Sequence, residues 1–220
     1  MKKLLFFIIC MLPIILFAYT SKQIPGGHSP QKADVLALEV MNNLNLSAWK
    51  KTNVVKWDLF GHQYQWFKNQ DSVVVKWKKY EAYVNLKNHS GTVNKNGELV
   101  PDNKELIEKA IKYFNNDSFW LCAHYKMLDS GTSREIVDLK NGQTGLKVFY
   151  SSGGSTPGDT FLWILEDNKP VAFKMWVSTI PFGGIRANWK KWKTTKTGAQ
   201  IALTHKLLFF NIKVKNLDLE

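Results

Sequence analysis

From Lys51 onward the apolar residues recur at every second position, and turn residues break the pattern about every ten residues. That periodicity constrains the fold more than any other feature of the chain. Val55, Trp57 and Leu59 alternate with Val54, Lys56 and Asp58, and Tyr64, Trp66 and Phe67 begin the return after Gly61-His62. Val73, Val75 and Trp77 share one face, and Ala82 to Lys87 forms a fourth run. Further runs fall at Glu135–Leu139, Leu146–Tyr150, Thr160–Glu166, Val171–Ser178, Ala187–Thr194, Ile201–Lys206 and Leu208–Val214. Asn141-Gly142, Thr156-Pro157-Gly158-Asp159, Asp167-Asn168, Gly183-Gly184 and Thr197-Gly198 separate most of them. Alternation with one wet face is the mark of an antiparallel meander.

Two segments break this period. Between Gln31 and Leu44, Val35, Leu36, Val40, Met41 and Leu44 recur near 3.6 residues, behind Ser29-Pro30 as N-cap and first-turn proline. Asp102 and Glu105 offer a capping box ahead of Ile107, Ala110, Ile111 and Phe114, and this second helix is expected to stop near Asn115-Asn116-Asp117. Two amphipathic helices need an apolar surface, and a sheet that large must curl. The expected fold is mainly β: a curved antiparallel sheet of about eleven strands, an incomplete barrel with two helices in its concave face.

The chain opens Met1-Lys2-Lys3, followed by an almost unbroken apolar run from Leu4 to Ala18. Cations ahead of a short apolar stretch are the pattern of an export signal, and the stretch is shorter than the roughly 20 residues of a spanning helix. Residues 1–18 are therefore read as a signal peptide or N-terminal anchor, 19–30 as a linker, and 31–220 as a single half-barrel domain. Export places the protein in the periplasm or cell envelope. Of the two cysteines, Cys10 lies inside the apolar run, so Cys122 is left without an intramolecular disulfide partner.

The chain carries 30 Lys+Arg against 18 Asp+Glu, a net charge of +12. Such a field favours anionic partners. An export signal argues against nucleic acid. Lys190, Lys191, Trp192 and Lys193 form a cation–aromatic cluster: either a solvated strand edge or a contact with an anionic membrane surface.

The aromatic content is the strongest chemical signal, with 9 Trp, 7 Tyr and 13 Phe. Trp57, Phe67, Trp77, Phe161, Trp163, Phe173 and Trp176 fall on alternating strand positions. Rigid rings there either fill the core or line a cavity wide enough for an acyl chain. Ile107, Ile111 and Phe114 would make the second helix a lid over it. Which of Phe161/Trp163/Leu165 and Leu162/Ile164 faces inward is left open by the alternation. The glycine-rich Gly153–Asp159 stretch lacks the Lys-Ser/Thr ending of a phosphate loop and reads as a hairpin connection. Asp117-Ser118 with His124 has the residue types of a hydrolytic set but no strand-to-helix elbow, so no catalytic residue is assigned. His28, His62, His89, His124 and His205 show no metal-ligand spacing, and no metal or cofactor is expected.

Several motifs together carry a resemblance. They are His28-Ser29-Pro30 with Ala33-Asp34, Ala48-Trp49 leading to Trp57, and Asn116-Asp117-Ser118-Phe119-Trp120-Leu121 with Tyr125-Lys126-Met127, Asp129 and Gly131. Gly153-Gly154-Ser155-Thr156-Pro157-Gly158-Asp159-Thr160 with Trp163, and Trp189 with Trp192, complete the set. The chain resembles a group of uncharacterised exported bacterial proteins, themselves similar in architecture to the outer-membrane lipoprotein carrier (LolA/LolB-like) superfamily. That resemblance implies a curved half-barrel with helices closing its mouth and an apolar interior. The expected function is non-enzymatic binding of a lipid, acyl chain or lipoprotein; the alternative is an envelope scaffold with a filled core and no ligand.

Overall fold

The computed structural model describes residues 22–140, 142–152 and 157–220. The expected signal peptide, part of the linker and part of the Gly153–Asp159 connection lie outside the described residues. Among the described residues there are fourteen strands in two wholly antiparallel sheets of seven, which replaces the single eleven-strand sheet expected from the sequence. The first sheet contains β1 (Val54–Leu59), β2 (His62–Phe67), β3 (Ser72–Trp77), β4 (Tyr80–Asn85), β5 (Ser90–Lys95) and β6 (Glu98–Leu99), with the last strand, β14 (Lys215–Leu219), beside β1. The second runs in chain order through β7 (Thr132–Asp138), β8 (Thr144–Tyr150), β9 (Thr160–Glu166), β10 (Lys169–Trp176), β11 (Ile185–Thr194), β12 (Gln200–Leu207) and β13 (Phe210–Lys213). Neither sheet closes into a barrel among the described residues.

The reason for two sheets lies at a crease. β13 pairs with β12, Val214 N–H donates to Leu203 O at 3.0 Å, and the next residues leave to pair with β1 as β14. One run of chain thus edges both sheets. On the other side of Leu203, Lys191 has a left-handed backbone (φ 56°), and the inward face of β11 passes from Ala187 and Trp189 to Trp192. β12 shifts in step, from His205 to Ala202. β14 contributes a register shift against β1 near Asn216 (φ 51°). Irregularities of this kind bend a strand and end its pairing.

Three α-helices are described: α1 (Pro30–Asn43), a short α2 (Leu46–Lys51) absent from the sequence expectation, and α3 (Lys104–Cys122). α3 runs eight residues past Phe114, through Asn115-Asn116-Asp117. Side chains that usually compete with a helix backbone are occupied elsewhere: Asn116 Nδ2 donates to Asp117 Oδ1 at 2.8 Å, and Asp117 Oδ2 accepts from Tyr64. The expected capping box does not form, because Asn103 holds the N-cap position and Asp102 is left-handed (φ 46°).

Both sheets and all three helices contribute to one core, which includes Ala33, Ala37, Val40 and Met41 of α1 and Leu146, Phe161, Trp163, Leu165 and Phe173 of the second sheet. Phe161, Trp163 and Leu165 therefore face inward. Leu162 and Ile164 point the other way yet are buried. The segment Lys22–His28 runs over that outward side: Lys22 O accepts from Trp176 Nε1, Pro25 O accepts from Lys147 Nζ, and His28 bridges to Ile136 at the β7 edge. The chain then turns into α1. Arg134 ties α1 to the sheet through Asp34 and donates to Met127 O at 3.0 Å.

Candidate functional site

A cavity of about 960 Å³ lies between the C-terminal half of α3 and the inner face of the second sheet. Phe119 and Trp120 enter it from α3; Tyr150, Phe161, Phe173 and Met175 form the opposite wall. Leu207, Phe210 and Ile212 of the β12–β13 hairpin, with Phe60 and Trp66 of the first sheet, complete the apolar lining. The rings brace one another, with Phe119–Phe161 centroids at 4.6 Å and Phe161–Phe173 at 5.2 Å. Such pairs prefer tilted or edge-to-face geometry, and the two walls touch where these rings meet. Polar groups sit among the lining as well. Lys126 Nζ meets Asp129 Oδ2 at 3.0 Å, and Asp159 Oδ1 accepts from Ser178 N–H at 3.0 Å. The volume lies within the roughly 300–1,000 Å³ usual for ligand sites.

The seven aromatics singled out from the sequence separate by location. Phe161 and Phe173 line the cavity. Trp163 is fully buried, 5.2 Å from Phe173 and 5.1 Å from Trp189. Trp57 and Trp77 belong to the solid interior of the first sheet, against Tyr64 and Tyr113. Phe67 lies in a polar groove on the far face of that sheet, and Trp176 is held on the outer face by Lys22. Of the lid residues, Ile107 and Ile111 pack into the core and Phe114 reaches the cavity. Lys190, Lys191 and Lys193 are exposed, whereas Trp192 turns inward against His124 (5.1 Å) with Lys169 Nζ 5.1 Å from its ring.

Two polar features escaped the sequence reading. Asp117 pairs with His62 of β2 rather than His124: His62 Nδ1 lies 2.9 Å from Asp117 Oδ2, and Tyr64 donates to the same oxygen at 2.7 Å. Burial pushes the Asp117 carboxyl above its ordinary range, and hydrogen bonds from His62, Asn116 and Tyr64 pull it back. No spacing signal joins residues 55 positions apart; only the meeting of α3 with β2 does. The second feature is a pair of buried imidazoles. His124 packs between Tyr125 (4.3 Å) and Trp189 (5.3 Å), with Nε2 3.1 Å from Gln200 O; burial pushes it down to about 3. His205 lies 4.4 Å from Trp189 and is pushed down to about 4, again chiefly by burial. Among the described residues no group of three or more His, Cys, Asp or Glu side chains is placed to hold a metal ion. No described helix is long and apolar enough to cross a membrane.

No protein-family model matches the chain, and no curated protein matches it in sequence. Among solved structures it is similar to a DUF1329 family protein from Desulfovibrio piger, with a TM-score of 0.46 and 7% identity over 88% of this chain and 94% of that one.

Proposed function

We propose that this chain is an exported, non-enzymatic binding protein that holds the acyl chain of a lipid or lipoprotein between α3 and the second sheet. The two sheets act together as an incomplete barrel, with α3 as its removable cover. The observation that carries this reading is the partly open, aromatic-lined cavity of about 960 Å³ beside the core. A partly open, largely apolar concavity with a few polar groups at its rim is the usual form of a small-molecule site. A 14-carbon chain buried there would contribute on the order of 10 kcal/mol gross, part of it offset by ordering and helix displacement. The basic surface suits a donor or acceptor membrane rich in anionic lipid.

Native mass spectrometry of protein purified from cells tests the reading. Lipid-sized adducts, restored by added fatty acid or acylated peptide after delipidation, are the expected result. A clean apo mass that responds to neither ligand would leave an envelope scaffold as the better account. Fractionation of cells expressing the full chain should place it with the periplasm or envelope; a cytoplasmic pool alone would contradict export.

A further inference from the structure

Five hairpins among the described residues close with two-residue turns: Phe60-Gly61, Lys78-Lys79, Asn96-Gly97, Asp167-Asn168 and Leu208-Phe209. Such turns demand a left-handed residue and normally draw Asn, Asp or Gly. The Asn96, Asp167 and Lys78 turns are polar. The other two place a bulky apolar residue in the left-handed position, Phe60 at φ 50° and Leu208 at φ 53°. A bulky apolar residue there is a genuine conformational outlier, and such strain gathers at functional positions. Both turns border the cavity, through Phe60 itself and through Leu207 and Phe210. At the β12–β13 tip Leu208, Phe209 and Phe210 are 45%, 78% and 57% exposed, with the two rings 4.4 Å apart. Single exposed apolar residues are ordinary; three in succession at a cavity's edge are not.

The charge on this hairpin is one-sided: from Gln200 to Lys213 the chain has two lysines, Lys206 and Lys213, and no Asp/Glu. Lys206 pairs with Asn211 one step below the hairpin end, and Lys213 lies on the same hairpin opposite Thr204. Cations a few residues behind an apolar tip match the layering of an anionic bilayer, with hydrocarbon inside and phosphate above it.

We propose that the β12–β13 hairpin is a membrane-docking element, which seats Leu208 and Phe209 in an anionic bilayer and brings the cavity to its surface. This rests on the acyl-binding reading and names where that ligand enters and leaves. The test is flotation with phosphatidylethanolamine vesicles, with and without phosphatidylglycerol. The full chain should bind the phosphatidylglycerol vesicles and lose binding as salt rises. Leu208→Asn with Phe209→Gly should weaken binding at least about tenfold. The new turn is the one hairpins favour, so the variant should keep or gain thermal stability. Lys206→Gln with Lys213→Gln should cost about fivefold per lysine on phosphatidylglycerol vesicles alone.

Dodecanoic acid binding in vesicle-free solution separates the two ideas. The hairpin variant should bind it as the parent does. Docking that is lost with the hairpin while neither protein binds the fatty acid would support the membrane element and sink the cavity reading. Equal vesicle binding by the parent and the hairpin variant would overturn the proposal. So would a dimer in solution that the variant dissolves, since the tip would then serve self-association.

Discussion

His124 and His205 sit about as far from water as imidazoles can, and that position has a measurable consequence. Both are held neutral in the fold, with pKa values near 3 and 4, whereas the unfolded chain takes up protons near 6.5. A depressed base contributes stability that is complete above the unfolded pKa and lost as pH falls toward the folded one. Unfolding should therefore become easier from about pH 6.5 down to about pH 4, at up to roughly 2.7 kcal/mol per pH unit for two protons. Asp117 acts in the opposite sense, because a raised carboxyl stabilises below its unfolded pKa and loses that contribution as pH rises. Urea midpoints measured across this range should show the net slope, and His205→Phe should remove about one proton's share of it. A flat profile would contradict the buried neutral state. Around Asp117 itself, Tyr64→Phe removes a hydrogen bond to a buried carboxylate oxygen and should cost about 1–3 kcal/mol in chemical denaturation. A loss below a few tenths would mean that water replaces the tyrosine.

The elements that could be read in the sequence are those in which a periodic pattern outlasts a single turn. β1 and β3 were readable because alternation persists over six residues, and β9 because an unbroken apolar run lies between turn residues. α2 has six residues, β5 holds one apolar side chain in Ser90–Lys95, and β6 has two residues, so no period had room to show. The end of α3 was misplaced for another reason. Asn115-Asn116-Asp117 reads as a stop signal from sequence alone, but His62 and Tyr64 of a distant strand engage Asp117, which in turn accepts from Asn116. The crease shows the same limit, since nothing in Lys190-Lys191 marks the second lysine as left-handed. The backbone makes that difference testable. Lys191→Gly should stabilise by about 0.5–1 kcal/mol through relief of the left-handed conformation, whereas Lys190→Gly in regular strand should destabilise by a similar amount. Equal losses at both positions would show that the kink at Lys191 is not present in solution.

At the scale of the whole molecule, alternation separates inward from outward side chains, but it does not say which part of the inward surface is filled. Trp57, Trp77, Phe161 and Phe173 are all buried by the same parity, yet only the second pair borders the cavity. The difference is made by α3, which packs on β4 and β5 of the first sheet, while its Phe119 and Trp120 meet Phe161 and Phe173 of the second at the cavity's edge. A hydrocarbon site built this way makes a quantitative demand on its ligands. Affinity for free fatty acids should rise about fourfold per added methylene, the equivalent of ~0.8 kcal/mol, until the cavity is full. Met175→Trp, which adds bulk to the wall without touching the β12–β13 tip, should bring the plateau to a shorter chain and leave short acids little affected. Isothermal titration over a series of saturated acids reads both effects. A single affinity across the series, or a Met175→Trp profile that superimposes on the parent, would mean that the acyl chain lies on the surface and the cavity has another use.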